Sequence, residues 1–166
     1  MIKLSPEKIA EYFKECFVKS DGLWFVKTEE EFGFEKALDI DEEVWKVMPK
    51  IQCRFFKRAF QLASGIDSLK KCLSEKLSIE GYKFKILNGS NSHTSIFIIE
   101  ECPWHNIMLK CRNQEKSNLI GKRICAPEYS VWASEFSETL QFILKHSICS
   151  GADYCEFLFL EKNLEI

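Results

Sequence analysis

The stretch "YKFKILNGSNSHTSIFIIEE", residues 82–101, decides the fold class. Up to Gly81 the apolar residues recur every three or four positions, and here the period drops to two. Tyr82, Phe84 and Ile86 alternate with Lys83 and Lys85, the pattern of a half-buried strand. "NGSNSH" is a polar turn, and "TSIFIIEE" supplies a second strand. The stretch therefore predicts an antiparallel hairpin that divides a helical first half from a mixed second half.

Upstream of the hairpin the pattern is helical. Ser5-Pro6-Glu7 has the form of a helix start, with a capping hydroxyl, proline at the first helical position and an acid in the first turn. Ile9, Tyr12, Phe13 and Phe17 follow at helical spacing, and Asp21-Gly22 ends that helix. "LWFVKTEEEFG" forms a second, short helix closed by Gly33. "LDIDEEVWKVMPKIQCRFFKRAFQLASG" reads as a long helix capped by Asp41, which Pro49 kinks or splits. "DSLKKCLSEKLSIEG" is another, capped by Asp67 and stopped by Gly81.

Downstream, "CPWHNIMLKCRNQ" is a helix with Pro103 at its first position, which puts Cys102 at the N-cap. "APEYSVWASEFSETLQFIL" is a second helix with Pro127 near its start. "LQFILKHSIC" and "YCEFLFLEK" close the pattern as two strands around the turn Ser150-Gly151-Ala152-Asp153-Tyr154. This order predicts a single α+β domain over residues 1–166, helical over 1–81 and mixed over 82–166, with N-terminal helices packed on an antiparallel sheet.

A chain of 166 residues is long enough to bury a sizeable core, and 46% hydrophobic with 29% charged residues is an ordinary globular balance. The formal net charge of -2 supplies no basic face for nucleic acid. No apolar run approaches a membrane span. The first residues, "MIKLSPEKIAEYFKE", are too charged for a secretory signal. A cytoplasmic setting with reduced thiols follows, so the eight cysteines are not expected as a disulfide framework.

Cys16, Cys53 and Cys72 lie in helical patterns and read as packing residues. The other five fall in the second half, and four of them mark element boundaries. Cys149 and Cys155 flank the last turn, Cys102 precedes one helix, and Cys125 sits just before "APEY". Thiols at helix N-termini have lowered pKa values, and thiolate is the form that binds metal. Four such positions suit a tetrahedral sulfur site for Zn²⁺, although the five residues between Cys149 and Cys155 exceed the spacing of a compact zinc knuckle. Buried, inert cysteines are the competing reading.

His105, three residues after Cys102 on the same helical face, is a substitute ligand, a pocket acid or base, or a partly exposed helix histidine. Phosphate-loop, nucleophile-elbow and HExxH motifs are absent from the sequence. Cys102 with His105 supplies two parts of a thiol-nucleophile site. Trp24, Trp45, Trp104 and Trp132 are candidates to line an apolar cavity, or ordinary core.

Two sets of residues resemble known families. "ICSGADYCEFLFLE" resembles the C-terminal end of 4-vinyl reductase domains, which carry a turn of the form Cys-x-Gly-x-x-x-Cys-x-Phe. "LWFVKTEEEFGFEKALDIDEEVW" and "CPWHNIMLKCRNQ" resemble proteins grouped with L-2-amino-thiazoline-4-carboxylic acid hydrolases. The resemblance implies a fold shared with heme-NO-binding-like domains and TRAPP subunits, and a pocket for a small hydrophobic or aromatic ligand beside a structural zinc. Cys125, Cys149 and Cys155 match the family's ligand pattern, with Cys102 preferred as the fourth. The final pair is closer together than in the aromatic-responsive sensors. The alternatives are a hydrolase of a small cyclic amide or thiazoline using Cys102 and His105, a reductase step in tetrapyrrole metabolism, and an interaction subunit that forms a homodimer. Nucleic acid and membrane partners are not expected.

Overall fold

A computed structural model describes residues 3–89 and 92–162. Ser90 and Asn91 of the first hairpin turn lie outside the described residues. The chain divides into two compact units, residues 1–41 and 42–166.

The first unit holds α1 (Pro6–Phe32) and the beginning of α2 (Phe34–Trp45). The predicted start holds: the Ser5 side chain accepts from the Lys8 amide at 3.4 Å, and Pro6 opens the helix. The predicted stop does not. Helix α1 runs through Asp21-Gly22, because an interior glycine costs only about 1 kcal/mol against alanine and does not forbid the helix. The stop is Gly33, whose φ of 83° suits glycine and whose N–H donates to the Glu29 carbonyl at 2.8 Å. Phe25 and Phe34 meet edge to face across this turn, ring centroids 6.0 Å apart.

In the second unit, α3 (Met48–Phe60) follows α2 after a break at residues 46–47. Pro49 splits the predicted long helix, and it sits in the first turn of α3, where a missing N–H costs no hydrogen bond. Asp41 is not a cap, since α2 has already begun at Phe34. Helix α4 (Ile66–Glu80) ends at Gly81 in the left-handed region, as predicted. Its N-cap is Gly65, and Asp67 lies one step inside.

Strands β1 (Lys83–Asn88) and β2 (Thr94–Glu101) form the predicted hairpin. Strands β3 (Leu140–His146) and β4 (Cys155–Glu161) form the C-terminal one, joined through a single 3-10 turn at Ile148–Ser150. Strand β4 also pairs with β2, giving an antiparallel sheet of order β1-β2-β4-β3. Phe97 and Ile99 of β2, with Cys155, Phe157 and Phe159 of β4, project at two-residue spacing onto one face. They join Leu69, Leu73 and Leu77 of α4 and Tyr129, Trp132 and Phe136 of α6 in one core.

Helices α5 (Pro103–Cys111) and α6 (Gln114–Phe136) complete the unit. Cys102 is the N-cap of α5, as predicted. The predicted boundary before "APEY" is wrong. The Asn113 side chain accepts the Lys116 amide at 2.9 Å and starts α6 well before Pro127. Pro127 therefore lies inside the helix and leaves the Arg123 carbonyl without its usual donor. Burial of Ile124, Tyr129, Trp132 and Phe136 along the helix outweighs that loss. Cys125 is consequently mid-helix, not at a helix start. Among the described residues no helix is long and apolar enough to cross a membrane.

Candidate functional site

Four thiols converge where α5 begins, α6 passes and the last hairpin turns. Cys149, in the 3-10 turn, and Cys155, the first residue of β4, are buried, and Cys102 and Cys125 are partly so. Gly121, one turn before Cys125 on α6, is what lets the helix approach the turn. A Cβ there would stand 2.7 Å from the Cys149 Cβ and 2.9 Å from its sulfur, with the Cys125 sulfur at 4.0 Å. Only a residue without a side chain fits. The first turns of α6 hold the hairpin mouth from below: Gln114 Nε2 donates to the Cys149 carbonyl at 2.7 Å, and Ser150 Oγ donates to Asn118 Oδ1 at 3.2 Å. The Ile148 amide donates to Cys155 Sγ at 3.3 Å.

The thiols feel one another. Cys102 interacts electrostatically with Cys149 and Cys155, and Cys125 with all three of the others. The helix-terminus argument for lowered pKa values fails, because burial outweighs it at every position. Burial pushes Cys102 up to about 12, although the His105 amide and the Tyr82 hydroxyl pull the other way. Cys155 is pushed up to about 11, and burial raises Cys125 and Cys149 as well. Without metal these groups are thiols at neutral pH. Among the described residues no three His, Cys, Asp or Glu side chains stand in a ligating arrangement.

His105 is buried and not partly exposed. Its Nδ1 lies 2.8 Å from Ser117 Oγ, and the Ser117 hydroxyl in turn favours the Cys149 thiolate. The imidazole thus reaches a thiol through Ser117, and that thiol is Cys149, not Cys102. Burial lowers the His105 pKa and keeps the ring neutral.

A buried charge cluster beside the thiols escaped the sequence reading. Lys76, 2% exposed, lies 2.6 Å from Glu128 Oε1 and 3.0 Å from Glu80 Oε2. Its ammonium also stands 5.1 Å from the Tyr129 ring and 5.5 Å from the Tyr82 ring. The two carboxylates hold it charged, well above its ordinary range, against desolvation. Glu128 acts on Cys125 and Tyr82 on Cys102, so this cluster borders the thiol group. One signal was available: Lys76 interrupts the apolar stripe Leu69, Cys72, Leu73, Leu77 of α4.

The four tryptophans do not share one place. Trp24 is exposed, Trp45 and Trp104 meet edge to face at 5.9 Å, and Trp132 is central to the core. The Trp132 ring lies 6.3 Å from Phe56 and 6.1 Å from Phe136, and its indole N–H is fully buried with no hydrogen-bond partner. A separate opening of about 290 Å³ lies between the start of α4 and the first hairpin turn. Its lining mixes Ile66 and Gly89 with Asp67, Lys70, Ser92, Thr94 and Ser95, and it holds none of the tryptophans.

Residues 4–155 match the family described as "Family of unknown function (DUF6125)". The chain belongs to DUF6125. Among curated proteins none matches this sequence. Two solved structures share the fold of this DUF6125 chain. The phenol-responsive sensory domain of the transcription activator PoxR, with phenol, is 13% identical at a TM-score of 0.52, covering 97% of this chain and 76% of that one. A trafficking protein particle complex subunit 3 from Naegleria fowleri, covalently bound to palmitic acid, is 12% identical at 0.54, covering 92% and 97%. The TRAPP-like arrangement of helices on an antiparallel sheet is thus the observed one. The finer kinship with 4-vinyl reductase domains and thiazoline hydrolases has no support in these comparisons, and the matching family is DUF6125 instead.

Proposed function

We propose that this DUF6125 chain is a small-molecule-binding domain that takes an aromatic ligand carrying a hydrogen-bond acceptor. The buried, unpartnered indole N–H of Trp132 carries this reading. Leaving such a donor unsatisfied costs about 1–3 kcal/mol. A phenolic oxygen held among Phe56, Phe136 and Trp132 would recover that loss and stack its ring on theirs. The fold match to a phenol-responsive sensory domain supports the ligand class.

Zn²⁺ belongs to the same proposal as a structural element. Four sulfurs are the donor set zinc prefers. Cys102, Cys125, Cys149 and Cys155 interact electrostatically but do not stand in a ligating arrangement by themselves, so an ion would have to draw them together. Binding would release the protons that burial keeps on these thiols and would tie the last hairpin to α5 and α6. His105, turned to Ser117, is not needed as a ligand. The hydrolase alternative with Cys102 and His105 lacks the direct thiol–imidazole contact it requires.

The test is phenol titration of the purified chain by calorimetry, with elemental analysis of the same sample. Saturable binding that weakens at least about tenfold in Trp132→Phe supports the ligand reading. Phenol binding equal in both proteins would sink it. Zinc near one per chain, lost in Cys155→Ser, supports the structural site, and a stable metal-free protein removes it.

A further inference from the structure

Two helices carry exposed apolar stripes of opposite charge. On α1, Ile9, Tyr12, Phe13, Leu23 and Trp24 are exposed, Trp24 at 74%, and no residue of the helix is buried. Large aromatic side chains left in water at this density mark a contact surface, and tryptophan and tyrosine are the commonest anchors of such surfaces. Helix α1 carries seven acids against four lysines. In the other unit, Val44 and Val47 lead into Ile51 and Phe55 of α3 at one-turn intervals, the last two 58% and 57% exposed. Helix α3 carries Lys50, Arg54, Lys57 and Arg58 and no acid. Pairing α1 with another α1 would bring like charge together, whereas α1 against α3 brings opposite charge around two apolar stripes.

We propose that a second copy of this chain covers these faces, with α1 of each protomer lying on α3 of the other. The exchange is reciprocal: each protomer gives its α1 and receives its partner's α1 on α3, the pattern of a two-fold contact. Helix α3, of 13 residues, spans about 20 Å and sets the length of each contact. Arg54 and Lys57 already engage Glu135, so Lys50 and Arg58 are the bases to alter.

The experiment is light scattering of the full chain, whose mass is 19.4 kDa, with circular dichroism to confirm folding. Two charge-reversed chains are made, Lys50→Glu with Arg58→Glu, and Glu11→Lys with Glu15→Lys. The wild type is expected at twice the chain mass, and each reversed chain alone at a single mass. Mixing the two is expected to restore the doubled mass, because each α1 then meets an α3 of opposite sign. Packing of α1 within its own chain cannot be restored by mixing. A wild type of single mass at high micromolar concentration overturns the proposal. So does a reversed chain that still dimerises alone, or a folded mixture that stays at single mass.

Discussion

At the scale of single residues, the site depends on an absence. Gly121 has no side chain, and the Cys149 Cβ occupies the place where one would begin. Gly121→Ala is expected to push α6 away from the last turn and to destabilise the protein by about 1–3 kcal/mol, the usual cost of overpacking. Urea unfolding reads this directly, and a variant as stable as wild type would show that the turn yields freely. Lys76 makes the opposite case. Lys76→Ala leaves Glu80 and Glu128 buried without their cation, and a loss of about 3–5 kcal/mol is expected. Replacing Lys76 with Met and Glu128 with Leu together should recover part of it, since removing both charges is gentler than removing one. Cys102, Cys149 and Cys155 were legible because they lie at the element boundaries the sequence marks, whereas Cys125 lies mid-helix and reaches them only because α6 passes the last turn. Gly121, Ser117 and Lys76 were not legible, because their roles depend on contacts between α6, α4 and the last turn that no local pattern records.

At the scale of elements, hydrophobic period identified every strand and most helices, and punctuation residues misled where their cost was small. Asp21-Gly22 looked like a stop, yet α1 passes through it, and nothing lies within 4 Å of a Cβ at Gly22. Gly22→Ala is therefore expected to stabilise the helix by about 0.5–1 kcal/mol without displacing any contact. A rise in helical ellipticity and melting temperature checks it, and a fall would mean that Gly22 departs from ordinary helix geometry. Pro127 looked like a helix start because proline is common there, but Asn113 supplies the cap and tertiary burial carries α6 past the proline. That error also misplaced Cys125 and suggested a lowered thiol pKa, where burial in fact raises it.

At the scale of the whole molecule, the α+β class and the pairing of both hairpins were legible because period two and turn residues are local signals. The insertion of β4 between β2 and β3 was not, since it joins residues about sixty positions apart. The strand order predicts a gradient of protection. Amides of β2 and β4 are bonded on both sides, while β1 and β3 are edges. Native-state hydrogen exchange should be slowest in β2 and β4, and equal protection of β1 would count against this sheet order.

The central place of β4 has a further consequence, for synthesis on the ribosome. When β2 emerges it can pair only with β1, and its other edge waits while α5, α6 and β3 are made. Until Cys155–Glu161 is released, β2 and β3 each present an unpaired backbone edge, and two of the four thiol positions are missing or unsupported. The nascent chain is therefore committed late, when one short segment joins both hairpins at once. A premature stop in the last dozen described residues would remove only one strand, yet it would leave the β1–β2 ribbon and an unpaired β3 in place of a sheet.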